Sequence, residues 1–142
     1  MALTSTEARL IRQSWLRIAP VASVFGDVFY GRLFAVAPEL RPFFCADMAL
    51  QSGKFLDMLA SLVEAVDRLD TIGPEIDTMA AQHVSYGVQP EHYGPVGEAL
   101  IWTLDTCMST PLSPAERAAW VRAYALVRDR MLGGPGYARQ TG

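Results

Sequence analysis

The sequence predicts an all-α fold on three observations: apolar residues recur at spacings of three and four, proline and glycine mark the breaks, and no segment alternates like a half-buried strand. At 142 residues and 51% hydrophobic content the chain can bury one sizeable core. A single domain over 1–142 is expected, with the Gly-rich stretch 132–142 as a flexible tail.

Each element follows from local chemistry. Thr4-x-x-Glu7 is a capping box that opens a first helix running to about Ile18, and Pro20 starts the next at a tolerated first-turn position. The second helix carries Phe25, Val28, Phe29, Tyr30, Leu33 and Phe34 to about Val36, and Pro38 and Pro42 bracket a turn ending at Phe43-Phe44. A long third helix is expected from the stripe Phe55, Leu59, Leu62, Val66, Leu69, with Gln51 one turn earlier on the same face. Asp70-Thr71-Ile72-Gly73-Pro74 breaks it, and a shorter helix then carries Ile76, Met79, Ala80 and His83 on one side. Pro90 restarts a helix lined by Tyr93, Val96, Leu100 and Leu104. Ser113-Pro114-Ala115-Glu116 is a second capping box, opening a final helix with Trp120, Tyr124, Val127 and Met131 that ends at Gly133-Gly134-Pro135.

Charge and motif content exclude several function classes. A net charge of −3 with scattered Lys and Arg does not suit nucleic acid or an anionic membrane surface. No uninterrupted apolar run approaches a membrane span and the N-terminus lacks the order of a secretion signal, so a cytoplasmic protein is expected. Cys45 and Cys107 lack metal-ligand spacing and read as packing residues. There is no phosphate-cradling glycine loop, His-Glu-x-x-His pair, Cys-x-x-Cys or nucleophile elbow.

With two histidines in the chain, a multi-histidine zinc or copper site has too few ligands. A cofactor that brings four equatorial ligands of its own needs only one imidazole, and haem is such a cofactor. His83 lies on an apolar helix face and reads either as a hydrogen-bonded core residue or as that ligand. His92, third in a helix opened by Pro90 and off its apolar stripe, reads as a solvated or capping residue. Tyr30 is either a core tyrosine with a satisfied hydroxyl or a pocket donor, and Gln51 either an exposed helix-start residue or a polar group facing a cavity.

Several runs, in order, carry a family resemblance: Phe29-Tyr30-Gly31-Arg32-Leu33-Phe34, Pro38-Glu39-Leu40-Arg41-Pro42-Phe43-Phe44, Gln51-Ser52-Gly53-Lys54, His83, and Pro90-Glu91-His92-Tyr93-Gly94-Pro95-Val96-Gly97. Together, from about Glu7 to Met131, they resemble a bacterial single-domain globin of the flavohaemoglobin lineage. The resemblance implies seven to eight helices in a three-over-three sandwich around haem b. It implies His83 as the iron ligand, Phe44 wedged against the porphyrin, Tyr30 and Gln51 as the distal pair facing bound gas, and Phe55 beside the gas site. Val88, Tyr93 and Val96 are expected to complete the pocket.

The implied function is reversible binding of oxygen, with nitric oxide and carbon monoxide as further ligands, for storage, delivery or scavenging. The alternatives are nitric oxide oxidation with a separate reductase partner and a haem-free helical module acting through protein contacts. A monomer or weak homodimer is expected. The sequence departs from the lineage at the end of its last helix, where the glutamate that would join Tyr93 and His83 in a hydrogen-bonded set is replaced by Gly133-Gly134-Pro135.

Overall fold

The computed structural model describes residues 2–44 and 47–134. Cys45 and the end of the expected tail lie outside the described residues, whereas Leu132 and Gly133 still belong to the last helix. Six α-helices are present among the described residues: α1 (Ser5–Trp15), α2 (Ala22–Val36), α3 (Met48–Glu64), α4 (Gly73–Ser85), α5 (Tyr93–Thr106) and α6 (Pro114–Gly133). This is fewer than the seven to eight expected, because four short connecting stretches wind as 3-10 turns instead of α-helix.

Both capping boxes form. The Thr4 hydroxyl accepts from the Glu7 amide at 3.1 Å while the Glu7 carboxylate accepts from the Thr4 amide at 2.8 Å. Ser113 and Glu116 repeat the arrangement at 3.1 and 2.9 Å. Glu116 also takes a bidentate pair from Arg17 at 2.9 and 3.0 Å, so one buried carboxylate starts α6 and ties it to the segment after α1.

Two helices stop earlier than their apolar stripes suggest. α1 ends at Trp15 instead of Ile18: the Arg17 and Ile18 amides donate to Ser14 and Trp15 carbonyls three residues back, tightening the chain toward Pro20. α3 ends at Glu64, and Val66–Ile72 continues as 3-10 turns with Arg68 at φ −145°, ψ 40°. The Glu64 carbonyl, which the helix would have offered to the amide of residue 68, instead accepts from the guanidinium groups of Arg12 at 2.6 Å and Arg68 at 3.1 Å. The Arg68 amide turns to Ala65 O. Val66 and Leu69 stay buried, so the stripe survives the change of winding. α2 ends where Ala37 precedes Pro38, a position from which proline excludes helical backbone.

α2 packs on α5 and α3, α1 lies on α6, and α4 is held by α6. The core is strongly aromatic: Phe29 and Phe55 stack at 4.1 Å, and Tyr30 meets Phe44 edge-on at 5.1 Å. The stretch Ser5–Val36 is long and apolar enough to cross a membrane by composition, at mean hydropathy 1.2. It is broken between α1 and α2, however, and buries Ile11, Ile18, Phe25, Phe29 and Leu33 in this core. Cys107, half-buried at the end of α5, is free, and burial pushes its thiol up from its ordinary range.

Candidate functional site

A cavity of about 730 Å³ opens between α4 on one side and α2 and α3 on the other, floored by α5 and α6. Every residue proposed for the site from the sequence lines it: Tyr30, Phe44, Gln51, Phe55, His83, Val88, Tyr93 and Val96. Among the described residues no cluster of three or more His, Cys, Asp or Glu side chains exists that could hold a bare metal ion.

His83 occupies the last turn of α4, and the way that helix stops determines where the imidazole goes. Gly87, at φ +90°, lets the Val88 amide bond to His83 O at 3.1 Å and its own amide bond to Val84 O at 3.0 Å, the two bonds of a Schellman terminus. His83 Nδ1 lies 2.7 Å from Met79 O one turn back. A carbonyl only accepts, so Nδ1 carries the proton and Nε2 keeps its lone pair for a ligand in the cavity. The Tyr93 ring stacks beside the imidazole at 6.4 Å and 24°.

Tyr30, buried on α2, sits in a cage of Phe29, Phe34, Phe44 and Phe55 rings at 4.9 to 5.8 Å. Gln51 follows from the start of α3: Asp47 caps the helix by accepting from the Leu50 amide at 3.1 Å, and Gln51 enters the first turn half-buried. His92 has the capping role, its Nδ1 accepting from the Gln89 amide at 3.0 Å. Its ring also packs against Phe43 at 5.0 Å and borders the cavity, a placement its off-stripe position does not suggest.

A sequence profile of the Globin family matches residues 27–131. The chain belongs to the globin family. It is 30% identical over 139 residues to a flavohemoprotein of Rhodopirellula baltica, a match covering 94% of this chain and 34% of the relative. A Deinococcus radiodurans flavohemoprotein is 34% identical over 135 residues, covering 92% of this chain and 33% of that one. The chain thus spans about a third of the length of these flavohemoproteins. A neuroglobin of Tetraodon nigroviridis is 27% identical over 139 residues and covered to 87%. Ferric Aplysia limacina myoglobin superposes with a TM-score of 0.83 at 19% identity, over 94% of this chain and 99% of the other, which shows the globin fold.

Membership implies a haem cofactor, and the residues of this globin fit one. The cavity has the volume of a small-molecule site and a mostly apolar wall, with one imidazole whose second nitrogen is already fixed by a backbone carbonyl.

The structure adds residues that sequence reasoning missed. Tyr124 of α6 also lines the cavity, and its hydroxyl donates to Tyr93 O at 2.6 Å. Burial pushes its phenol above the ordinary range, so it stays protonated and keeps donating. Gly97 admits the ring: a Cβ there would lie 2.6 Å from the Tyr124 ring. Glu75, Thr78 and Gln82, on the His83 side of α4, together with Lys54 and Arg128, add polar groups to the cavity wall. Tyr124 already stood on the inward stripe of α6, and only its partner across the helix pair was hidden.

Proposed function

We propose that this globin holds haem b in the cavity, with His83 as the iron ligand, and binds oxygen reversibly beside Tyr30 and Gln51. The observation that carries the reading is the His83 imidazole of a mostly apolar cavity, its Nδ1 proton spent on Met79 O and its Nε2 left for a metal, whereas the other imidazole of the wall, His92, has its Nδ1 committed to the Gln89 amide. A bound haem supplies an iron that takes up diatomic gas, and the protein sets how long the gas stays.

Met79 O fixes the tautomer and plane of His83. Phe44, Phe55, Val88 and Val96 make the wall apolar, which keeps water from the site and strengthens any hydrogen bond made inside it. Tyr30 and Gln51 bring a hydroxyl and an amide to that wall as donors for a polarised ligand. Donors of this kind favour oxygen over the less polarised carbon monoxide, and nitric oxide is a third ligand of the same site. The role is oxygen storage, delivery or scavenging in the cytoplasm, with a reductase as the electron donor that keeps the iron ferrous.

The test is the absorption spectrum of the purified protein after haem supplementation, ferrous with and without oxygen and carbon monoxide. A Soret band that responds to each gas is expected in the wild type and lost or shifted in His83→Ala. Unchanged haem affinity and spectrum in His83→Ala would overturn the assignment.

A further inference from the structure

Two tryptophans connect the cavity to the far surface of the molecule. Trp120 of α6 is a buried part of the cavity wall. Its ring meets that of Trp15, at the end of α1, with centroids 6.3 Å apart. Trp15 is half-buried and lines a separate surface groove of about 630 Å³ between α1 and α3, together with Arg12, Leu16, Glu64 and Asp67. The other ring against Trp15, Phe25 at 6.4 Å, is far harder to oxidise than an indole and leads nowhere.

We propose that Trp120 and Trp15 form a two-step route by which a one-electron oxidising equivalent generated in the cavity leaves for the α1–α3 groove. The inference rests on the haem reading above, because haem exposed to hydrogen peroxide is the source of that equivalent. Three structural features support the direction of travel.

The indole centroids lie only 6.3 Å apart, so electron exchange between them outpaces diffusional encounter with a reductant. The Trp120 N–H donates to Ser14 Oγ at 2.7 Å, and that hydroxyl donates in turn to Ile11 O at 2.8 Å. Neither a hydroxyl nor a carbonyl is a base strong enough to keep the indole proton. Oxidised Trp120 therefore remains a buried cation, which is costly, and recovers an electron from its neighbour. Trp15 borders water, which solvates the positive charge and accepts the indole proton, so the equivalent is more stable there.

The balance is complete with a thiol as reductant. Hydrogen peroxide takes two electrons and two protons and becomes two waters. Each electron passes from Trp15 to Trp120 to the cofactor, and each oxidised Trp15 takes an electron and a proton from one thiol at the groove. Two thiols end as one disulfide. The route protects the cavity wall, where Met58, Met79 and Tyr30 would otherwise be oxidised.

The experiment treats the ferric, haem-loaded protein with one equivalent of hydrogen peroxide. Freeze-quench electron paramagnetic resonance with indole-deuterated tryptophan identifies the radical, and mass spectrometry of spin-trap adducts locates it. Haem loading is read first from the Soret band, so failure of the haem reading is seen separately and overturns both proposals. In the loaded wild type a tryptophan radical and an adduct on Trp15 are expected. Trp120→Phe should lower adduct yield at Trp15 at least tenfold at equal haem content. Trp15→Phe, at the half-buried end, keeps the test standing if Trp120→Phe does not fold: the radical should stay on Trp120, out of reach of the trap, and adducts should fall to background. A tyrosyl radical alone, at Tyr86 of the cavity rim or at Tyr124, would overturn the route. So would an unchanged Trp15 adduct in Trp120→Phe.

Discussion

Gly97→Ala sets two physical effects of opposite sign against each other. Gly97 lies inside α5, where alanine is the better helix former by about 0.8–1.0 kcal/mol, so propensity alone predicts a more stable protein. The cavity wall predicts the reverse. The new Cβ would sit 2.6 Å from Tyr124 Cε2 and 3.0 Å from Cδ2 and Cζ, three atoms of one rigid ring. That ring must retreat by about 1 Å to reach ordinary carbon contact. Overpacking of this kind costs about 1–3 kcal/mol. The same retreat stretches the 2.6 Å bond from the Tyr124 hydroxyl to Tyr93 O, at about 1–1.5 kcal/mol. Less the propensity gain, the net loss is about 1–3.5 kcal/mol. The assay is urea unfolding followed by far-UV circular dichroism at fixed haem saturation, since bound cofactor shifts apparent stability. The control is the same substitution in a Tyr124→Ala background, where the ring is gone and alanine should stabilise. A neutral or stabilising Gly97→Ala in the wild-type background, or a cycle with no coupling, refutes the reasoning.

Three further outcomes are expected. Glu116→Gln should cost about 2–3 kcal/mol, because it leaves half-buried Arg17 without its carboxylate and weakens the cap of α6. The hydrogen bond from Arg17 holds the Glu116 carboxyl below the ordinary carboxylate range. Its contribution is therefore present above the unfolded value near 4.5 and lost as pH falls through the lower folded value, so urea midpoints in acid should decline less steeply in Glu116→Gln than in the wild type. Gly87→Ala should destabilise by about 1–2 kcal/mol, since the φ of +90° at the end of α4 penalises any Cβ, and thermal unfolding checks it. Tyr30→Phe should speed oxygen release about tenfold by stopped flow, one charge-assisted donor's contribution, with a smaller change for carbon monoxide; equal oxygen off-rates would remove Tyr30 from the site.

The sequence shows what local chemistry decides and hides what distant partners decide. Thr4 with Glu7 and Ser113 with Glu116 announce two helix starts because a cap needs only residues three apart, and both form. The stripe of α4 puts His83 on the inward face, and the carbonyl that fixes its tautomer lies four residues back on the same helix, so that contact too is local. The end of α3 is different. Its stripe runs on to Leu69, yet the helix stops at Glu64, because Arg12, fifty-two positions away, reaches the carbonyl that helix propagation needs. Tyr124 belongs to the same class. Its place on the α6 stripe is legible, but its bond to Tyr93 O and its reliance on the bare backbone of Gly97 arise only when α5 and α6 are packed together.

These cases share a cause that bears on how the site works. Three of the polar residues of the candidate site are set by helix ends and not by the interior of the core. His83 is in the last turn of α4, whose stop depends on Gly87; Tyr93 opens α5, anchored by Tyr124; Gln51 is in the first turn of α3, started by Asp47. The apolar wall contributed by Phe55, Val96 and Leu100 tolerates volume-conserving exchange, as cores do. Helix termini do not, since a cap or a left-handed glycine has few substitutes. Substitutions at Asp47, Gly87 and Tyr124 should therefore change ligand behaviour out of proportion to their effect on stability. Equal-volume changes in the wall should do the opposite.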